Sequence, residues 1–424
     1  MKVAVVGAGI SGIVAAHELS KRHSVDVFEA GTYPGGHTDT HDIQVAGHHY
    51  AVDSGFIVYN EDNYTHFTRF LNELGVEGRN AEMSFSVHNT NTGLEYNATD
   101  LNRLFCQRKN LLSPRFHKML WDLFRFYRNA PELLESNDDT LTLGEYLASN
   151  GYGRAFIDDH LIPMACALWS GPTVSIESFP ARYFVQFMHN HRMLNVSDRP
   201  QWRTVVGGSQ SYVDAWIQHF NGRLFCDSAV QSIDANSTRV RLLVGGQWLE
   251  YDRVFIACHS DQALRMLDRP SQQEHQVLGG IAYQDNHMQL HCDTRILPPS
   301  KMAWASWNAR VCPELSEQCT VSYDMNILQG IQSSTEFIVS LNSSQWVDPS
   351  RVFVERHYQH PVYNAETLAA QKRWEEINGV RGLYYCGAYW GWGFHEDGVR
   401  SALKAVALFE AEQGADGEEQ SDVA

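Results

Sequence analysis

An apolar run, Val3 to Val6, passes directly into Gly7-x-Gly9-x-x-Gly12. That junction restricts the fold more than any other stretch of the chain. Behind it come Ile13, Val14, Ala16 and Leu19 at helical spacing. A second apolar strand, Val25 to Phe28, then closes on Glu29. Strand, glycine turn, helix, strand and acid in this order predict an α/β, Rossmann-like dinucleotide-binding unit. Gly7 permits the tight turn, Gly9 lets backbone approach a pyrophosphate, and Gly12 lets the helix pack closely on the strand. Ile10 and Ser11 open the helix, whose first N–H groups and partial positive charge suit phosphate. Glu29 stands where a carboxylate accepts the hydroxyls of an adenosine ribose.

The chain continues Glu29-Ala30 and then Gly35-Gly36-His37-Thr38. The glycine pair allows a second close backbone approach. With these residues the sequence resembles the flavin-containing amine oxidase and phytoene desaturase superfamily, whose N-terminal signature runs into a Gly-Gly-Arg-type turn. His37 stands where the arginine is usual, so a fixed charge is missing there. The resemblance implies FAD rather than NAD, held by Gly7, Gly9, Ile10, Ser11, Gly12, Glu29, Ala30, Gly35, Gly36, His37 and Thr38. It also implies the amine oxidase-like two-domain fold, a Rossmann-like FAD-binding domain interleaved with an α+β substrate domain. The expected divisions are 1–78, 201–265 and 381–412 for the FAD-binding domain, and 79–200 and 266–380 for the substrate domain. An acidic tail, 413–424, is expected to be disordered.

Three later stretches extend the resemblance. Asp53-Ser54-Gly55-Phe56-Ile57-Val58-Tyr59-Asn60 resembles the point where the family's chain passes the flavin ring, which implies Gly55, Phe56 and Ile57 as contacts; a glycine turn between strands is the plainer reading. Trp202 to Ser209 resembles the second entry into the FAD domain, leading to a helix (Tyr212 to Phe220) and a strand at Val230, the family's adenine contact. A further buried strand, Asp252 to His259, ends at small residues, of which Ala257 is the implied contact. Gly382 to Ala388, then Tyr389 to Gly398 and a helix from Val399 through Phe409, resemble the C-terminal FAD motif. There a helix N-terminus aims at the flavin pyrimidine edge, implying Gly387, Gly393, Phe394, His395, Glu396 and Asp397 as contacts. Trp392, Phe394 and His395 are the implied catalytic residues. His395 either polarises flavin or substrate through its adjustable charge or simply packs. No second Gly-x-Gly-x-x-Gly follows a strand, so reduction is expected from the substrate itself.

Charge excludes some partners. The chain carries 33 Lys and Arg against 50 Asp and Glu, a net charge of −17; nucleic-acid binding needs a basic face instead. Eight cysteines without a CxxC pair read as reduced thiols in a cytoplasmic protein. The N-terminus reads as a working strand rather than a signal peptide, and no apolar run approaches the ~18 residues of a membrane span. Two histidine pairs have four-residue spacing, His37 with His41 and His287 with His291, but they fall in a turn and a strand pattern, so no metal site is expected. Lys301 reads as a surface lysine. Residues 105–128 mix Arg108, Lys109, Arg115, Lys118, Arg125 and Arg128 with Phe116, Met119, Leu120, Leu123, Phe126 and Tyr127. Such a helix either turns a solvated face outward over a core or lies peripherally on an anionic membrane, here the inner membrane surface. The uncharged run Leu161 to Ser170 lines either a core or a substrate tunnel.

The nearest resemblance is to a bacterial subgroup of NAD/FAD-binding oxidoreductases. It rests on Gly393 to Gly398, on the Ser306-Trp307-Asn308 tract and on Asp53 to Asn60. That subgroup is associated with fatty-acid modification. The resemblance therefore implies an FAD-dependent oxidoreductase taking a hydride from a small-molecule apolar substrate, a fatty-acyl or related lipid chain. Two alternatives stay open. One is an amine oxidase with an aromatic cage from Trp390, Trp392 and Phe394. The other is a double-bond isomerase with no net redox change.

Overall fold

The computed structural model describes every residue except 137, 170–175, 237–238, 313–319 and 422–424. Strand Lys2–Val6 sits at the centre of a five-stranded parallel sheet. Val3, Ala4 and Val5 are all buried, as a strand covered on both faces requires. The strand order is Arg223–Phe225, Ser24–Phe28, Lys2–Val6, Arg253–Ile256, Leu383–Tyr385, and every pairing is parallel. One sheet thus gathers the chain's start, its middle and its end.

Helix Ile10–Leu19 covers one face and packs on the C-terminal helix that begins at His395. Their shared core includes Ile13, Leu19, Tyr212, Trp216, Phe255 and Phe409. The opposite face, with Ala4, Val6, Val254 and Ile256, meets an antiparallel sheet of strands Val230–Asp234, Val240–Val244 and Gln247–Tyr251. At the turn, Gly7 has φ +96°, and its N–H donates to the Phe28 carbonyl at 2.8 Å. A Cβ on Gly12 would stand 1.9 Å from the Gly7 carbonyl oxygen, so only glycine allows this helix to sit on this strand.

A second, seven-stranded sheet runs Val352–Pro361, Tyr283–His291, Ile338–Leu341, Thr320–Asp324, Trp307–Val311, Phe85–Asn89, Leu94–Asn97. It is antiparallel apart from the pairing of Trp307–Val311 with Phe85–Asn89. The Ser306-Trp307-Asn308 tract holds that one parallel edge. Ser84 N–H donates to Ser306 Oγ at 2.8 Å, and Ser86 Oγ donates to Asn308 Oδ1 at 2.8 Å. Helices cover this sheet. Helix Pro114–Asn129 starts on a Ser113 cap and buries Phe116, Met119 and Phe126.

The C-terminal helix departs from expectation at both ends. It starts at His395 rather than Val399 and runs to Ser421, so the tail expected to be disordered is helical as far as the described residues go. Extending an existing helix adds a hydrogen bond per residue without a new nucleus. The described cysteines are all free thiols. No helix among the described residues is long and apolar enough to cross a membrane.

Candidate active site

A cavity of about 1340 Å³ is walled by residues of both sheets. On its wall lie Gly7, Gly9, Ile10, Ser11, Glu29, Ala30, Gly35, Gly36 and His37 from the N-terminal motif. Gly55, Phe56, Ile57, Val230 and Ala257 join them from the middle of the chain, and Gly387, Trp392, Gly393, Phe394 and His395 from its end. Gly9 and Gly393, from opposite termini, therefore open on one crevice.

The polar wall is built by two glycine turns set back to back. Gly35 and Gly36 both take positive φ, +137° and +61°. Gly35 N–H donates to the Ala8 carbonyl at 2.8 Å, and a Cβ on Gly36 would come within 3.2 Å of Gly9 Cα. Glu29 is fixed against these turns. Its Oε2 accepts from Ala8 N–H and its Oε1 from Gly31 N–H, each at 2.8 Å, which leaves lone pairs for hydroxyl donors. A Cβ on Gly55 would lie 2.0 Å from the His37 carbonyl oxygen, and Phe56 N–H donates to that same oxygen at 2.7 Å.

His395 joins these segments. Its ring lies against Phe56, and its Nε2 is 2.9 Å from the Tyr212 hydroxyl. Burial pulls the His395 imidazole down to about 3, so it is neutral at neutral pH. Tyr212 in turn meets Thr38 Oγ1 at 2.5 Å.

Four predicted contacts lie off the cavity wall. Thr38 is buried and turned to Tyr212. Gly12 acts through close packing on Gly7. Glu396 accepts the His66 and Phe67 N–H groups at 3.1 and 2.9 Å, satisfying the start of helix Thr65–Glu73. Asp397 accepts Trp392 and Phe394 N–H at 3.0 and 3.1 Å and so pins the glycine loop; burial pushes its carboxyl up to about 7. For both acids, the unpaired backbone donors nearby decide where the carboxylate points. Trp390 also stays away, packed on Tyr389 with ring centroids 5.0 Å apart, so the three-ring cage does not assemble. Lys301 is exposed beside Trp304.

Some wall residues carry no sequence signal. His37 has His259 and His360 within 5.9 and 5.4 Å, ring to ring. Burial, then these neighbours, holds His37 well below its ordinary value, and burial brings His360 to about 4. Tyr358 stacks on His37, and Tyr363 also faces the cavity. Strand alternation could mark one face of Val352–Pro361 but not say that it meets a cavity. Among the described residues, one group of three acid or histidine side chains brings ligand atoms within 4.8 Å, His17 with Glu18 and Glu73, and it lies off the cavity.

Another part of the wall is apolar. Leu104, Leu120, Leu123, Met164, Leu168 and Met193 face the cavity. Most of the uncharged run forms helix Ile162–Trp169, in which Met164, Ala167 and Leu168 line the cavity while Ala165 and Cys166 are core. Ser170 lies outside the described residues.

A dinucleotide flavin fits these walls on three observations. The glycine surfaces leave no Cβ in the way, Glu29 presents a fixed carboxylate, and buried polar atoms on the walls, His37 Nε2, Tyr363 Oη and Trp392 Nε1 among them, lack a protein partner. The volume exceeds the ~300–1,000 Å³ of an ordinary small-molecule site, enough for a cofactor and a second molecule.

These features define the fold as that of the amine oxidase-like two-domain flavoenzymes. The family profile described as NAD(P)-binding Rossmann-like domain matches residues 5–74. No curated protein sequence matches the chain. Solved structures of similar fold include putrescine oxidase bound to putrescine, with TM-score 0.70, 17% identity and coverage of 97% of this chain and 99% of that one. Cyclohexylamine oxidase from Brevibacterium oxydans IH-35A follows at TM-score 0.67 and 17% identity, covering 97% and 99%. A CLA-producing fatty acid isomerase from P. acnes has TM-score 0.66 and 14% identity, covering 96% and 98%. The likeness spans nearly the whole length of each chain, and both sheets belong to the shared fold.

Proposed function

We propose that this chain is an FAD-dependent oxidoreductase that takes a hydride from an apolar substrate, a fatty-acyl or related lipid chain. The observation that carries the reading is the single cavity with two kinds of wall: glycine turns and Glu29 on one part, Leu104, Leu120, Leu123, Met164 and Leu168 on another. FAD, when bound, supplies a two-electron acceptor.

The chain's own residues do the rest. Gly9 and Gly36 admit phosphate groups to backbone, and Glu29 receives ribose hydroxyls. The N-terminus of the C-terminal helix offers partial positive charge toward the crevice that His395 lines. His395, neutral and held between Phe56 and Tyr212, brings no competing charge. The apolar part of the wall excludes water from a long chain lying along it. A neighbour of the same fold is named for its action on a fatty acid, in keeping with an apolar wall of this size.

The test is anaerobic titration of the purified, flavin-loaded protein with lipid extract and with amine pools, followed by flavin absorbance. Bleaching by lipid and not by amines is expected. Bleaching by amines with peroxide release in air would replace this reading with an amine oxidase. Lipid conversion with neither bleaching nor acceptor use would replace it with an isomerase. A protein that retains no flavin would overturn it.

A further inference from the structure

The most exposed apolar side chains cluster around helix Pro114–Asn129. Leu101, Leu111, Leu112, Trp121, Phe124 and Val196 are 75%, 50%, 88%, 70%, 53% and 69% exposed. Exposed apolar residues scattered singly need no explanation, but a contiguous group does. Trp121 and Phe124 lie three residues apart on the outer face of the helix, and the His117 ring on that face holds the Leu111 carbonyl at 2.8 Å. Three of the six, Leu101, Phe124 and Val196, also line the cavity. Side chains that both line a cavity and face solvent mark its mouth, so the cavity opens within this patch.

The charge on the segment that carries this helix is opposite to that of the whole molecule. Residues 101–129 hold seven Lys and Arg side chains and a single carboxylate, Asp122, in a chain of net charge −17. Asp122 is buried and paired with Arg125. Arg115 pairs with Asp159, and Arg103 with Glu82 and Asp100. Arg108, Lys109, Lys118 and Arg128 have no carboxylate partner among the described residues and are exposed.

We propose that this face docks on an anionic lipid bilayer, with Trp121, Leu112 and their neighbours entering the headgroup boundary and the cavity mouth opening onto the acyl chains. Three observations select a bilayer as the occupant. The free cations match anionic headgroups. An exposed tryptophan among long basic side chains is suited to the interface, where the ring is half buried and the charges reach outward. The patch surrounds the mouth of an apolar cavity, so a lipid chain would pass inward without crossing water. A second copy of the chain seated here would oppose cations to cations.

The test is co-sedimentation of the flavin-loaded, full-length chain with vesicles. Pelleting with phosphatidylglycerol-rich vesicles, little with phosphatidylcholine vesicles, and release by high salt are expected, because exposed charges are screened there. Lys109→Glu with Lys118→Glu should cut partition at least tenfold. Trp121→Ala with Leu112→Ala should do so without altering the salt response. None of these residues lines the cavity, so flavin content and turnover of detergent-dispersed substrate should be unchanged. Those two readouts separate loss of docking from failure of the redox reading. Equal binding to both vesicle types, no binding, or binding untouched by the variants would overturn the proposal. So would concentration-dependent dimerisation that Trp121→Ala abolishes.

Discussion

The Phe56 ring lies flat on the His395 imidazole, centroids 3.7 Å apart and planes 10° from parallel. More than 300 residues of chain separate the two rings, and both line the crevice between the glycine turns and the C-terminal loop. Burial in this setting favours an uncharged imidazole.

That pair gives a pH signature. The folded-state pKa of His395, about 3, is depressed from the usual 6.5. Its contribution to stability is therefore fully present above pH 6.5 and is lost as pH falls toward 3. His395→Phe keeps the stack and removes the titration. Urea melts at stepped pH should show the wild type losing up to about 1.4 kcal/mol more per pH unit than the variant below pH 6.5. Parallel slopes would mean that the imidazole is not held neutral by burial.

Asp397 should show the opposite sign. Its carboxyl is raised to about 7 from an ordinary 3.8. The associated stability is present below about 3.8 and is lost as pH rises through 7. Asp397→Asn should flatten the stability profile over that interval, read by the same melts. A variant profile as steep as the wild type would remove Asp397 as the cause.

Gly12→Ala would place a methyl 1.9 Å from the Gly7 carbonyl oxygen. The clash is with backbone, so the helix must move. A loss of at least ~2 kcal/mol is expected, with loss of bound flavin. Gly279→Ala, at the end of helix Gln272–Gly279 with its nearest neighbour at 3.5 Å, should be neutral or stabilising. Thermal melts of the two variants side by side give the comparison.

Glu29→Ala removes the acceptor for two backbone N–H groups as well as the one offered to a ribose. Flavin affinity should fall by about tenfold to a hundredfold, corresponding to ~1–3 kcal/mol, measured by fluorescence of released flavin. Unchanged affinity would place the ribose elsewhere.

Met164→Trp adds bulk to the apolar wall. Flavin content should stay the same while lipid bleaches the flavin at least tenfold less effectively. If lipid bleaching is unaffected, the chain does not enter along helix Ile162–Trp169.

Four strands of the parallel sheet, all but Arg223–Phe225, were legible in the sequence because their determinants are local. A buried strand such as Val3 to Val6 needs a continuous apolar run, and a tight glycine turn needs residues that tolerate φ +96° and missing Cβ atoms. The contact roles of Glu396 and Asp397 were not legible in this way. Their carboxylates turn toward unpaired N–H groups of His66, Phe67, Trp392 and Phe394, and which donors lie unpaired within reach depends on how distant segments pack.

By itself, then, the sequence determined the glycine turns, the order of strands and helices around them, and the acid at the second strand's end, since each follows from backbone sterics and hydrophobic period over a few residues. Only the tertiary structure decided that His259 and His360 stand beside His37, that Trp390 leaves the cavity, and that Leu101, Phe124 and Val196 frame its mouth. These placements depend on how two sheets and their covering helices meet, and burying apolar faces against one another fixes that through contacts between residues far apart in the chain.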